Sequence, residues 1–350
     1  MSQQSEGPSF KDVLAPYAKP RLGRSLLDVA TSVVPYLALS WLIYHEIGHS
    51  VLIALALAIP AAGFLVRTFV VFHDCSHGSL LRSRRANAYL GAMLGMLVLV
   101  PYRRWRHDHN VHHASSGDLD HRGGGDVPTL TVAEYSARSP RGRLAYRMFR
   151  NPVVMFGLGP VFAMVIGPRI APRAQRPTLR HSVLGLDLAL LIVVGGLCAW
   201  IGVGHFLLAW APAALMAGSA GIWLFYVQHQ FEEAYWKRHD DWTFAEAALQ
   251  GSSYLKLPKI LQFFTANIGL HHIHHLNARI PNYNLQRALD ENEVFQHAPT
   301  LTFTDGLRCV RLKLWDEDQR RLVTFAQARR PAVAAPIRPV GARAEISEGI

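Results

Sequence analysis

Four apolar stretches long enough to cross a bilayer run through this chain in two close pairs. The first pair is Leu27 to about Tyr44 and Val51 to Phe72; the second is about Val183 to Ile201 and about Phe206 to Val227. Each is near the ~20 residues a helix needs to span ~30 Å of hydrocarbon. Lipid offers no water to bare backbone groups, so such segments must be helical. The pattern predicts an all-α integral membrane fold with four transmembrane helices in two hairpins. Two shorter apolar stretches, Ala88–Pro101 and Val153–Gly167, read as interfacial or re-entrant helices.

Charge sets the expected orientation. Lys11, Lys19, Arg21 and Arg24 precede the first span, and Arg103, Arg104, Arg106, Arg138, Arg141, Arg143, Arg147, Arg150, Arg169, Arg173 and Arg176 fill the segment between the pairs. The connections near His45–His49 and Gly202–Gly204 carry no Lys or Arg. The positive-inside rule then puts both termini and the central segment in the cytoplasm. The net charge of +11 flanks spans rather than forming one patch, which fits anionic headgroups and argues against nucleic acid. The polar start and the lack of a small-residue cleavage site argue against a removable signal peptide. The expected organisation is a cytoplasmic N-terminal segment (1–25), a membrane domain (26–315) and a largely disordered cytoplasmic tail (316–350), with Met1–Phe10 also disordered. Cys75, Cys198 and Cys309 show no CxxC spacing and no disulfide framework.

Three short histidine clusters lie beside these stretches: His73 and His77 in HDCSH, His109, His112 and His113 in HNVHH, and His271, His274 and His275 in HHIHH. His229 follows the fourth stretch, so half of the 18 histidines sit in one pattern. Residues at i, i+3 and i+4 share a helix face, so each cluster can reach one metal. One such pair is usually an ordinary surface feature; three clusters are not. The expected topology places all nine on the cytoplasmic side. A fourth pattern, His45-Glu46-Ile47-Gly48-His49, matches the HExxH signature of zinc proteases, with Asp305 as a candidate distant ligand. On this topology it lies at the outer end of the hairpin, roughly 36 Å from His73 at 1.5 Å per helical residue. It would also leave the other clusters unexplained.

Zinc hydrolases need about three protein ligands. Nine imidazoles can furnish two metals and leave positions for O2 or water, which suits iron acting on unactivated C–H bonds of a lipophilic substrate, although spacing alone does not name the metal. The segments His73–Asn87, Pro101–Tyr135, Val227–Trp236 and Leu270–Leu285 resemble the integral-membrane fatty-acid desaturases, specifically the bacterial acyl-lipid type similar to delta-12 (omega-6) enzymes. The resemblance implies a mushroom-like fold, with four transmembrane helices under a cytosolic helical cap. It implies two iron ions (Fe2+/Fe3+) held by His73, His77, His109, His112, His113, His229, His271, His274 and His275. It also implies O2 as co-substrate, a cis double bond placed in the acyl chain of a membrane glycerolipid, and a site on the inner face of a bacterial cytoplasmic membrane. The first pair is spaced HxxxH, one residue closer than in acyl-CoA desaturases, which favours the acyl-lipid branch. No fused cytochrome b5 motif is present, so the electron donor is expected to be a separate ferredoxin or cytochrome b5. Phe225 stands where some relatives carry an asparagine that holds a metal-bound water. A related hydroxylase or ketolase would share the clusters and differ in its pocket.

Asp74, Asp108 and Glu232 are the carboxylates expected to orient imidazole N–H groups, with Asp120 and Asp126 as weaker candidates. His107 and His272 are out of phase with the clusters and are expected to be solvated or supporting. Trp105, Trp223, Trp236 and Trp242 are expected to anchor at the interface or to pack. The lipid headgroup is expected near Arg103, Arg104 and Arg106.

Overall fold

The computed structural model describes residues 9–122, 126–170 and 176–329. A short helix, α1 (Phe10–Leu14), leads into four long ones interleaved with shorter ones. In chain order these are α2 (Leu22–Ile47), α3 (Val51–His77), α4 (Arg84–Leu97), α5 (Tyr102–Ser115), α6 (Val132–Ala137), α7 (Pro140–Phe149), α8 (Pro177–Ile201) and α9 (Val203–His229). Then come α10 (Phe244–Gln250), α11 (Lys259–Phe264), α12 (His271–Leu276), α13 (Asn282–Asp290) and α14 (Phe303–Cys309).

Helices α2, α3, α8 and α9 are long and apolar enough to cross a membrane. Each includes one expected span and extends past it. On α8 the apolar side chains face outward: Leu188, Leu191, Ile192 and Trp200 are all exposed. An aliphatic stripe of that kind suits lipid rather than water. α2 packs along α3, and α3 along α9. Pro35, Pro60 and Pro212 sit inside these helices, where membrane packing tolerates them. Ser50 caps the start of α3, and Gly78 ends it at φ 70°, a left-handed turn that glycine makes without strain.

The Ala88–Pro101 stretch supplies the last ten residues of α4 (Arg84–Leu97), which is too short to span. Residues 154–169 form two π-helical turns, Val154–Leu158 and Val161–Ile166, and a 3-10 turn, Gly167–Arg169. Together with α7 they would be long and apolar enough for a fifth crossing, but the pair is bent by 55°.

The all-α expectation needs correction. Five short strands occur among the described residues: β1 (Leu130–Thr131), β2 (Tyr254–Lys256), β3 (Thr300–Thr302), β4 (Leu314–Asp316) and β5 (Arg321–Val323). β4 pairs parallel with β1 and antiparallel with β5, and β2 pairs parallel with β3. Strands of two or three residues give no alternation to read, and all but the β4–β5 pair join segments remote in sequence. Within the expected tail, residues 316–329 are folded, because β5 returns on β4 and buries Leu322 and Val323. The rest of that expected tail (330–350), and the expected disorder of Met1–Phe10 as far as residue 8, lie outside the described residues; Phe10 opens α1.

Three contacts hold the helix ends in register. Tyr102 donates to the Cys75 carbonyl at 2.7 Å, locking the start of α5 to the end of α3. A Cβ on Gly91 would stand 2.3 Å from the Tyr102 ring, so only glycine lets α4 approach that closely. Arg150, fully buried, donates to the Pro128 carbonyl (2.6 Å), Gln230 (2.8 Å) and Tyr226 (3.0 Å). It thereby ties residues 126–131 to the end of α9.

Candidate metal centre

The nine histidines of the sequence pattern come together in two adjoining groups. His73, His77, His109, His113 and His274 form one; His112, His229, His271 and His275 form the other. Within each group the candidate ligand nitrogens all lie within 4.8 Å of one another. The groups abut where His113 stacks on His275, ring centroids 4.1 Å apart. α3 and α9 contribute from their last turns, α5 from turns near its C-terminus, and the six-residue α12 from both of its ends. Three carbonyl ends, the negative poles of the α3, α5 and α9 dipoles, thus converge on the place where cations would sit.

The Nε2 atoms face one another: His73 and His77 at 3.3 Å, His109 and His113 at 3.1 Å, His113 and His274 at 3.1 Å, His229 and His271 at 3.0 Å, and His271 and His275 at 3.1 Å. Each Nε2 has either one N–H or one in-plane lone pair, so at His113 and His271, which each meet two neighbours, these contacts are poor as hydrogen bonds. The spacings match the edges of a coordination shell. Metal–nitrogen bonds of about 2.1 Å put neighbouring ligands roughly 3.0–3.4 Å apart. Burial holds His109, His113, His271, His274 and His275 well below the usual imidazole range, and neighbouring imidazoles add to the shift. They are therefore neutral near pH 7, the form that ligates. The donor set fits soft-to-borderline metal ions such as iron.

Tautomers are fixed from outside the groups. His112 Nδ1 bonds to the Asp126 carboxylate, which leaves its buried Nε2 bare and without a protein partner. His229 Nδ1 donates to the Gly251 carbonyl at 3.2 Å. Trp105 stacks on His109 at 4.3 Å between centroids and shields it. Phe225 lies against His112 and His229, so the wall there is apolar.

The three carboxylates expected to orient imidazoles do other things. Asp74 Oδ1 is 3.6 Å from His73 Nδ1, too far for a hydrogen bond; its Oδ2 accepts from the Asn282 backbone and side chain at 2.8 and 2.9 Å. Asp108 pairs with Arg104 one turn earlier at 3.5 Å, on the outer face of α5. Glu232 is exposed and pairs with Arg321 at 2.9 Å. Asp126, ranked lower from sequence, is the carboxylate that reaches a histidine of the groups. His107 is exposed. His272 is buried, donates to the Phe295 carbonyl at 3.0 Å, and is pushed down to about 4 by burial.

Trp242 donates to the Ser116 carbonyl at 3.0 Å, and Trp223 to the Gly306 carbonyl at 3.3 Å. His45 and His49 stack on each other at 5.9 Å and join neither group. Asp305 caps α14 with Thr302. A third group, unforeseen from sequence, is Asp118 with His121 and His239. Asp118 accepts from both imidazoles at 2.8 and 2.7 Å and from two backbone N–H groups. That carboxylate is saturated as an acceptor, and the cluster reads as a brace between residues 116–122 and 237–241.

The family described as fatty acid desaturase matches residues 29–303. A "Fatty acid desaturase" of Bacillus subtilis is 42% identical over 323 residues, 92% of each chain. An "sn-1 acyl-lipid omega-3 desaturase (ferredoxin)" of Synechocystis sp. is 29% identical over 63% of this chain and 62% of its own length. An "sn-1 oleoyl-lipid 12-desaturase" of the same organism is 28% identical over 64% of each.

Proposed function

This chain belongs to the fatty acid desaturase family, and from that premise we propose that it is a di-iron acyl-lipid desaturase. Its family consists of membrane-bound oxidoreductases that act on fatty acyl chains. The observation that carries the finer reading is the pair of largely buried groups, five and four imidazoles, gathered where two apolar helices end. We assign the nine histidines as the ligands of two iron ions. The proposed reaction converts –CH2–CH2– plus O2, two electrons and two protons into a cis –CH=CH– and two waters. Iron, when bound, supplies the O2 chemistry that removes the two hydrogens.

The chain's own residues prepare that chemistry. Asp126 and the Gly251 carbonyl hold His112 and His229 with Nε2 bare. Trp105 and Phe225 exclude water from the rings they cover. Tyr102 and Arg150 hold the helix ends in place, so the ligand sets are assembled before substrate arrives.

The substrate reading is a glycerolipid acyl chain in the membrane, of the delta-12 type. It draws support from the names of the cyanobacterial relatives, one of which acts on oleoyl lipid. The electron donor is a separate ferredoxin or cytochrome b5; one relative's name specifies ferredoxin. Both termini and the site face the cytoplasm of a bacterial inner membrane, in two hairpins under a cytosolic cap. The cation-free turns at Gly48–Ser50 and Gly202 support this. So does the arrival of α3 and α9 at the site by their C-terminal ends. Reporter fusions after residue 350 and near residue 140 should read inside.

Expression in a host that makes oleoyl lipids tests the function. Dienoic chains still esterified to phospholipid are the expected product. Monoenes from saturated chains would overturn the delta-12 position and leave the acyl-lipid reading standing. Unchanged acyl chains with oxygen added to a carotenoid would overturn both and favour the ketolase alternative.

A further inference from the structure

A cleft of about 440 Å³ opens between the start of α2, the middle of α3, and the helices α11 and α13. Three cations line it (Arg24, Arg67 and Lys259) against one carboxylate, Asp28. Arg67 and Asp28 are only 8% and 3% exposed. One Arg67 nitrogen donates to Asp28 and another to the Phe263 carbonyl, while its Nε is buried without a partner among the described residues. Asn282 also donates to Asp28, at 2.6 Å. The carboxylate is therefore already engaged, and the cleft keeps an excess of two positive charges among its lining residues. Its lip is apolar: Leu27 and Phe263 are exposed, and Ile260 beside them on α11 is 68% exposed.

Charge inside and hydrocarbon at the lip suit neither a packing defect nor a solvated ion network. They suit an amphiphile that inserts an anion and leaves its chains outside. A short hydrogen-bonded chain runs from the cleft toward the histidine groups. Arg67 precedes His73 by six residues on α3, about 9 Å along the axis. Asn282 links Asp28 to Asp74, the neighbour of His73. By contrast, Arg104 in the Arg103–Arg106 run is engaged by Asp108 and the Ile170 carbonyl.

We propose that this cleft binds the phosphate headgroup of the glycerophospholipid substrate, with Arg24 and Lys259 as the groups that meet the phosphate. The proposal rests on the acyl-lipid reading above and adds where the lipid is held. Arg24 and Lys259 are both exposed, so replacing them does not empty a core.

The test is binding to the purified full-length protein in detergent, read as ligand-dependent rise in Tm. The probes are dioleoyl phosphatidylglycerol, dioleoylglycerol and glycerol 3-phosphate, on the natural protein and on the double variant Arg24→Gln, Lys259→Gln. Expected is stabilisation by the phospholipid alone, and a loss of about ten- to a hundredfold in its apparent affinity in the variant, the scale of a hydrogen bond to a charged group. The variant should keep its ligand-free Tm and iron content. Equal binding of dioleoylglycerol, or unchanged phospholipid affinity in the variant, overturns the proposal. Equal binding of glycerol 3-phosphate assigns the cleft to a soluble phosphate and overturns it as well. Because the readout needs no turnover, a cleft that passes while no acyl chain is desaturated would refute the activity and not the site.

Discussion

Asp126 offers the sharpest perturbation of the proposed metal centre, because it belongs to neither imidazole group and yet decides which nitrogen of His112 carries the proton. The His112 side chain is fully buried, and its Nδ1 has the Asp126 carboxylate as its hydrogen-bond partner among the described residues. Without that acceptor the imidazole proton is free to sit on either nitrogen, and one of the two tautomers cannot ligate through Nε2. A negative charge beside the four-histidine group is lost as well. Removing such a partner costs about 10- to 100-fold in metal affinity or activity, or about 1.4–2.7 kcal/mol at 1.36 kcal/mol per decade. Asp126→Asn keeps an acceptor oxygen and belongs at the low end; Asp126→Ala belongs at the high end. The assay is a chelator titration of purified protein with iron counted per chain, alongside lipid profiling of the expressing strain. Asp126→Ala that retains iron against chelator as the natural protein does, and converts lipid equally well, would refute the reasoning.

Three further outcomes are expected. The natural protein should hold about two irons per chain, and His77→Ala, His112→Ala or His274→Ala should each abolish lipid oxidation, whereas Glu46→Gln, at the His45–His49 turn, should leave most of it; a dead Glu46→Gln variant at normal protein level would restore the protease motif to consideration. Lys313 is buried beside Arg150, and burial, reinforced by that guanidinium, pushes its ammonium down to about 7. Between about 7 and about 10.5 the unfolded chain holds a proton that the folded chain lacks, so the penalty is complete below 7 and fades as pH rises; Lys313→Met should raise Tm more at pH 6 than at pH 9, and an equal gain at both would contradict this. Gly91→Ala should destabilise by about 1–3 kcal/mol, the usual range for overpacking, since its methyl would meet the Tyr102 ring; a thermal melt with unchanged Tm would show that α4 simply shifts.

The spans and the histidines were legible because both are local patterns. Apolar blocks announce themselves by length, and HxxHH places three imidazoles within two turns of one helix. What stayed hidden depends on long-range pairing. Asp126 lies fourteen residues beyond His112 with no periodic relation to it. Asp108 and Glu232 are close to clustered histidines in sequence, but Asp108 lies on the outer side of α5 and Glu232 in the turn after α9, and both find arginines instead. Arg150 reads as one more cytoplasmic charge, whereas three neutral acceptors far away in sequence draw it inside. His239 gives no sign in the sequence that it will meet Asp118.

The division of the histidines couples the two groups mechanically. His112 and His113 are consecutive residues of one helix yet belong to different groups, and so are His274 and His275. A helix turns as a rigid body, so on the proposed function an ion held by one group would fix the pitch of α5 and α12 for the other as well. Filling would then be cooperative, with half-loaded chains scarce. The same coupling makes the pair vulnerable to error: a foreign ion in either cradle would leave its neighbour misaligned, and the identity of the first arrival would govern the fate of the whole enzyme.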